Sequence, residues 1–388
     1  MNKIDSPITW WKNPTLHYFQ KLFEKQPKIK VDDDETYLLN DLERAELQKT
    51  KHFIIFWAAC YGACGVIFLY VPFYVFPFLF PSEEINLYGI KFPFSLSFTI
   101  YGLFLAVLEI VLLIVLNLKS VIKVGHICNF PDVKDRNFDR NFQVLYEVSI
   151  EKQATELLDF DINPMEGLST WQIMIYNIWN KVKATLSNMI IKMLVGRILG
   201  RFMVRYSFLH YFVDFISLPI FAFWDAYTSY RVFRETKVRV LATGTIQNFV
   251  VTFKRKFYDD EKFKSVLLDC LRFIAIAKRS FHHNHYLLAE NIVHSFDLVI
   301  DKDRKKMDLE FLLKSIQELT PEARVALAKL FILGMLIDGY LSKRDWYILK
   351  NLDKKDEIIN FTYQDLKRWE QEFIKGYGLN NLLTDDLH

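Results

Sequence analysis

The stretch FIIFWAACYGACGVIFLYVPFYVFPFLF, residues 53–80, decides the fold class of this chain, because its 28 positions hold no charged side chain. Residues 92–118 form a second apolar run of 27 positions, in which Glu109 is the one charged side chain. A helix needs about 20 apolar residues to cross the hydrocarbon core of a bilayer. The two runs therefore predict a transmembrane helical hairpin at 53–118.

The composition of the rest of the chain is that of an ordinary helical protein. Mean hydropathy over the 388 residues is only +0.08, although 51% of the residues are hydrophobic. Glycine (13) and proline (11) are scarce, which disfavours turn-rich β folds. The sequence therefore predicts an all-α protein with a few apolar segments inside a soluble-type chain.

Charge is distributed unevenly and suggests a division of the chain. Residues 178–256 hold 13 basic and 3 acidic side chains, whereas the regions on either side are weakly acidic. Such a block requires an anionic partner. The predicted regions are a cytoplasmic N-terminal arm (1–52), the hairpin (53–118), a cytoplasmic connector (119–170), a basic membrane-associated helical region (171–256) and a cytoplasmic helical bundle (257–388).

Positive charge flanks both outer ends of the hairpin, and its tip is acidic. The basic residues are Arg44, Lys49, Lys51, Lys119, Lys123 and Lys134, and the acidic ones are Glu83 and Glu84. This asymmetry predicts a multi-pass protein with both termini in the cytoplasm. Residues 1–30 hold six lysines and no apolar core of a signal peptide, so the hairpin is expected to remain as an anchor.

Glu109 is a functional hypothesis because an ionisable group is costly in hydrocarbon. One interpretation is a proton or cation site in a homo-oligomer. The alternative is a neutral or hydrogen-bonded carboxyl group that pairs with Tyr61, Tyr70, Tyr101 or a neighbouring subunit, since burial raises a carboxyl pKa. The sequence leaves both open.

The acidic run Asp32–Glu35 predicts a helix from Thr36 to about Lys51, because acidic side chains favour a helix N-terminus. A divalent-cation site in this run is the alternative interpretation.

In the basic region, Arg197, Arg201 and Arg205 recur every fourth residue and share one helix face. The apolar stretch 207–230 follows, but two acids and a proline favour a re-entrant or surface-lying helix over a simple crossing. We expect the basic side chains to bind anionic lipid head groups. They are Arg197, Arg201, Arg205, Arg231, Arg234 and Lys237. Protein–protein contact is the alternative, and no nucleic-acid partner is expected.

Part of this region resembles a known family. The carrying residues are Ile216-Ser217-Leu218-Pro219, Trp224-Asp225-Ala226, Tyr230-Arg231, Arg234-Glu235 and Ala242-Thr243-Gly244. Over residues 197–244 this order resembles the YcjF-like bacterial inner-membrane proteins and, more loosely, the EcsC-like proteins. The resemblance implies the bacterial inner membrane and an envelope or stress role.

The C-terminal region reads as a helical bundle in which Thr320 and Pro321 begin a helix. Ala328-Lys329-Leu330 and IDGYLSKRD (337–345), within about residues 262–352, resemble the TerB-like helical fold. Gly339 suits a helix C-cap, and Ser342 with Asp345 forms a capping box. The alternative is a divalent-cation site on Asp338 and Asp345, which the resemblance also allows.

The histidines and the cysteines do not show the spacing of a metal site. His282, His283 and His285 have no accompanying acid or cysteine at fixed spacing, so a turn between helices is the favoured interpretation over zinc. The four cysteines form no disulfide framework. No phosphate loop or hydrolase motif is found in the sequence.

We therefore expect no cofactor and a non-enzymatic scaffold or adaptor that binds a protein partner through the bundle. The alternatives are an oligomeric ion or proton conductor that uses Glu109, and a hydrolase at the membrane surface.

Overall fold

The computed structural model describes residues 14–25, 39–81, 83–87, 90–131, 138–149, 160–169, 171–175, 210–280, 282–300, 308–353 and 361–379. Within these ranges the regular secondary structure is helical except for one β-hairpin, so the all-α prediction is confirmed in outline. The helices are α1 (Pro14–Lys25), α2 (Asp41–Val75), α3 (Leu96–Ile127), α4 (Phe138–Ser149), α5 (His210–Phe257), α6 (Glu261–Lys278), α7 (His283–Ser295), α8 (Leu309–Gln317), α9 (Pro321–Leu336), α10 (Lys343–Asp353) and α11 (Tyr363–Lys375).

Helix α2 begins later than predicted. Asn40 is its N-cap and has extended backbone, so a helix that starts at Thr36 and continues to Lys51 is wrong. The Asn40 side chain accepts from the Glu43 amide at 2.8 Å, and the Glu43 carboxylate accepts from the Asn40 amide at 2.9 Å. This capping box fixes the start. The acidic run 32–35 lies outside the described residues.

Helix α2 ends near the two prolines of the first apolar run. The helix continues through Pro72 and ends at Val75, immediately before a 3₁₀ turn at Pro77–Leu79. The tip is a β-hairpin in which Glu83–Leu87 pairs antiparallel with Ile90–Phe94. The second apolar run therefore starts in a strand, and α3 begins only after its N-cap Ser95.

Helices α2, α3 and α5 lie side by side, with α2 antiparallel to both neighbours. Near the start of α2, the Glu46 carboxylate lies 3.2 Å from the Lys123 ammonium of α3, and the Lys51 ammonium lies 5.6 Å from the centre of the Tyr230 ring of α5. Further along α2, Gly62 lies against Phe221 of α5. Residues later in α2 therefore contact residues earlier in α3 and α5.

Helix α5 contacts both α2 and the C-terminal bundle. Its 48 residues extend for about 72 Å at 1.5 Å per residue. The first half packs on α2, and the second half reaches the C-terminal bundle, where Val238 lies against Gly339 and its carbonyl accepts from Asn284. Helix α5 ends at Phe257, next to the predicted boundary at 256–257, but Val238 within α5 already packs with the bundle.

Helix α9 lies in the core of the bundle. Leu327, Leu330 and Leu333 are fully buried, and Gly334 allows Ile274 of α6 to pack closely against the α9 backbone. The Thr320 side chain accepts from the Ala323 amide at 3.3 Å, with Pro321 in the first turn, so the predicted start of this helix is confirmed.

The start of α2 is attached to the end of α11. The Leu39 amide donates to the Gly376 carbonyl at 3.1 Å, and the Arg44 guanidinium lies 4.1 Å from the centre of the Tyr377 ring. These contacts hold the bundle beside the first turns of α2.

Candidate membrane interface

Large apolar side chains cover the outer faces of α2 and α3. Only 22% of the most apolar 18-residue window of α2 is buried, and only 6% of that of α3. The core helix of a soluble protein is mostly buried instead. Both helices are long and apolar enough to cross a membrane. Exposed examples are Phe53, Phe56, Phe68, Leu103, Phe104, Val107 and Val111. We call this outward face of α2 and α3 the apolar surface.

The inner face of α2 is lined by small residues where it meets α5. Buried Ala58, Gly62 and Val66 recur every fourth residue. A Cβ atom on Gly62 would lie 2.7 Å from both the Phe221 carbonyl oxygen and the Asp225 carboxylate, closer than real Cβ atoms approach. Small residues allow close helix contact of the kind that drives packing in membranes. The small residues of this run predicted such contact, and the structure identifies α5 as the helix against Gly62.

Glu109 lies against α2. A carboxylate oxygen of Glu109 is 3.0 Å from the position that a Cβ atom would take on Gly65. The residue is half-buried. Of the hydrogen-bond partners predicted for it, Tyr101 donates its hydroxyl to the Phe68 carbonyl at 2.8 Å. Glycine at position 65 therefore provides room for the Glu109 side chain beside α2.

Basic side chains lie at one end of the apolar surface, and we call this group the cationic collar. Its members come from all three long helices: Lys49, Lys51, Lys119, Lys123 and Arg231. The Glu46–Lys123 and Lys51–Tyr230 contacts place these helix segments at the same level. The collar thus marks where the apolar surface ends.

The six residues predicted to bind head groups have different surroundings. Arg197, Arg201 and Arg205 lie outside the described residues. Arg231 is exposed, Arg234 donates to the Gly339 carbonyl of the bundle, and Lys237 is half-buried. Burial lowers the pKa of Lys237, and the nearby cations Lys51 and Arg44 lower it further. Of the three described residues, only Arg231 faces outward in the collar.

A lysine occupies the space between the two carboxylates considered for a metal ion. The Lys278 ammonium lies 2.7 Å from Asp338 and 3.0 Å from Asp345, and it donates to the Tyr340 carbonyl at 2.7 Å. In the described part of the chain, no group of three or more His, Cys, Asp or Glu side chains is arranged to hold a metal ion. The arrangement as it stands is a buried ion pair with backbone acceptors.

The Ser342–Asp345 capping box predicted for this segment is confirmed, whereas the C-cap of α9 is Ile337 and not Gly339. Gly339 has φ of +69° after the end of α9. The Ser342 amide donates to Asp345 at 3.0 Å, and the Asp345 amide donates to the Ser342 hydroxyl at 3.1 Å. Asp345 therefore closes the capping box and pairs with Lys278 at the same time.

The histidines join helices of the bundle. His282 is the N-cap of α7, and its Nε2 lies 3.0 Å from Glu235 of α5. His285 Nε2 lies 2.9 Å from the Gly334 carbonyl of α9. Burial lowers the pKa of His285 to about 3. His283 is buried next to Tyr286. His282 lies in the turn between α6 and α7 that the sequence favoured, whereas His283 and His285 belong to the first turn of α7.

Sequence reasoning missed Lys278 and the partner of Gly62. A lysine at the end of the apolar series FIAIA (273–277) was a usable signal, because a cation on a buried face needs a carboxylate. The contact of Gly62 with Asp225 joins residues 163 positions apart and has no local pattern.

Comparison with known proteins found no matching family model, no similar curated protein and no similar solved structure.

Proposed function

We propose that this chain is an integral membrane protein and a non-enzymatic scaffold, which holds its helical bundle at the cytoplasmic face of a membrane for a protein partner. One observation carries the proposal: an exposed apolar surface on two long helices ends at the cationic collar, and α5 continues from that level into the bundle core.

The apolar surface supports lipid as its environment. Soluble monomers rarely expose contiguous apolar patches larger than a few hundred Å², and exposed large side chains recur here from Phe53 to Leu79 and from Leu96 to Leu112. Lipid chains would remove this surface from water, and the collar would lie at the head groups. A cation near an anionic membrane surface contributes about 1 kcal/mol.

The hydrogen bond between Leu39 and Gly376 supports a location of the bundle on the same side of the membrane as the start of α2. Since the collar is at that end of α2, and basic residues prefer the cytoplasmic side, the bundle would lie in the cytoplasm. The resemblance to YcjF-like proteins supports a bacterial inner membrane, and anionic lipids would then be direct partners.

Hydrogen bonds between α5 and the bundle support the scaffold role. Asn284 of α7 donates to carbonyls of Val238 in α5 and Ile337 after α9, and Arg234 of α5 donates to Gly339. Several titratable side chains of the bundle are engaged with one another, as in the Lys278 ion pairs. A partner bound to the bundle would be held at a fixed distance from the lipid.

Photo-crosslinking tests the partner. A benzoyl-phenylalanine would replace exposed Tyr347 or Tyr340 of the bundle in full-length protein in living cells, with Val111 on the apolar surface as the control position. We expect the same polypeptide to crosslink at one or both tyrosines and not at Val111. Crosslinks to no protein from either tyrosine, together with turnover of a substrate by the purified chain, would contradict the proposal.

A further inference from the structure

We propose that the first half of α5, His210–Tyr230, is a third membrane-embedded helix, although its acids and proline argue against a crossing. The proposal rests on the membrane insertion of α2 and α3 set out above and adds a new lipid contact to it.

The depth of α5 follows from its contacts with α2. Gly62 lies nine positions after Phe53, the first residue of the uncharged run, which is about 14 Å along the helix axis. Because the hydrocarbon core is about 30 Å thick, Gly62 would lie near its centre. Phe221 and Asp225 touch Gly62 and must lie at the same depth.

The outward face of this segment is apolar. Pro219, Phe223 and Tyr227 are exposed and recur every fourth residue, which places them in one stripe along the helix. The next member of the stripe is exposed Arg231, a residue of the collar. The change from aromatic to cationic side chains therefore occurs on α5 at the same level as on α2 and α3, and Tyr227 lies where membrane proteins concentrate aromatic rings.

Asp225 does not oppose insertion, because it faces protein. The residue is 2% exposed and packs against Gly62. Ser217 and Ser229 are also buried on this helix. Polar residues of membrane helices face the bundle interior in this way. Pro219 removes one backbone donor, which a helix packed against neighbours tolerates.

Spin-label accessibility tests the proposal in full-length protein reconstituted in phospholipid vesicles. Cys60 and Cys64 would be replaced by alanine, whereas Cys128 and Cys270 are buried and can remain, since burial raises the pKa of Cys128 to about 12. A label on F223C is compared with R231C in the collar and with V111C on the apolar surface. Oxygen reports lipid exposure and a water-soluble nickel chelate reports water exposure.

We expect the F223C label to collide with oxygen several-fold more often than with the nickel chelate, as at V111C, and R231C to show the reverse. Nickel access at F223C equal to that at R231C, with V111C in lipid, would overturn the third helix alone. Nickel access at V111C would overturn the membrane proposal as well. If F223C fails to fold, P219C on the same stripe gives the same measurement.

Discussion

Helices α3 and α9 are both rich in apolar residues, yet they place them in opposite surroundings. Leu103 and Phe104 of α3 are 59% and 63% exposed, whereas Leu330 and Leu333 of α9 are fully buried by other helices. The charged residues differ too. From residue 96 to residue 118 of α3 the one charge is Glu109, whereas the bundle buries Lys278 between two carboxylates. Apolar content alone thus does not assign an environment; the side chains packed around a helix do.

The largest expected effect is in the bundle. Lys278→Met should destabilise it by about 3–5 kcal/mol, because the Asp338 and Asp345 carboxylates would be left buried without their cation. Thermal or denaturant unfolding followed by circular dichroism measures this. Lys264→Met on the same helix is the control, since Lys264 pairs with exposed Glu261 and its loss should change little. An equal loss of stability in the two variants would show that the Lys278 ion pairs do not stabilise the bundle more than an exposed ion pair does.

A charged side chain introduced on the apolar surface should hinder membrane insertion, whereas one introduced on the bundle surface should not. Val111→Lys should disfavour insertion by about 2.5–3.5 kcal/mol, the cost of a lysine at the centre of a membrane helix. Glycosylation-based insertion assays measure it. Tyr347→Lys, at an exposed position of the bundle, should have no effect. A harmless Val111→Lys would indicate that this surface faces water.

The contact of α2 with α5 should fail when a single methyl group is added. Gly62→Ala should destabilise the protein by about 1–3 kcal/mol, because the new Cβ atom would clash with the Phe221 backbone. Gly102→Ala is the matched control, since its Cβ atom would meet only the end of the Leu69 side chain at 3.4 Å. Unfolding in detergent compares them, and equal stability of the two variants would contradict close α2–α5 packing.

Mild acid should weaken the bundle through His285. Its folded-state pKa is about 3, below the ordinary value of 6.5. As pH falls below 6.5, the unfolded chain takes up a proton that the folded chain refuses, so stability falls with decreasing pH until about pH 3. The slope is at most about 1.4 kcal/mol per pH unit for one group. His285→Gln should show a shallower loss between pH 6.5 and 5; an unchanged slope would exclude His285 as the cause.

Local features of this structure could be predicted from the sequence, whereas contacts between distant segments could not. The two long apolar runs predicted α2 and α3, and local capping chemistry predicted the start of α9 and the turn at Gly339. The start of α2 was misplaced because four consecutive acids outweighed Asn40 and Glu43, whose capping box is equally local. The packing of α5 on α2 was not predicted, because Asp225 and Pro219 interrupt the apolar stretch and Gly62, which lies against Asp225, comes from a distant segment.

The most direct test of the account is where the full-length protein goes when membranes are washed with alkaline carbonate and centrifuged without detergent. Peripheral proteins are released by this treatment, whereas helices embedded in lipid remain in the pellet. The account predicts that the protein stays with the membranes and is released only by detergent. Recovery of folded, monodisperse protein in the supernatant would contradict it.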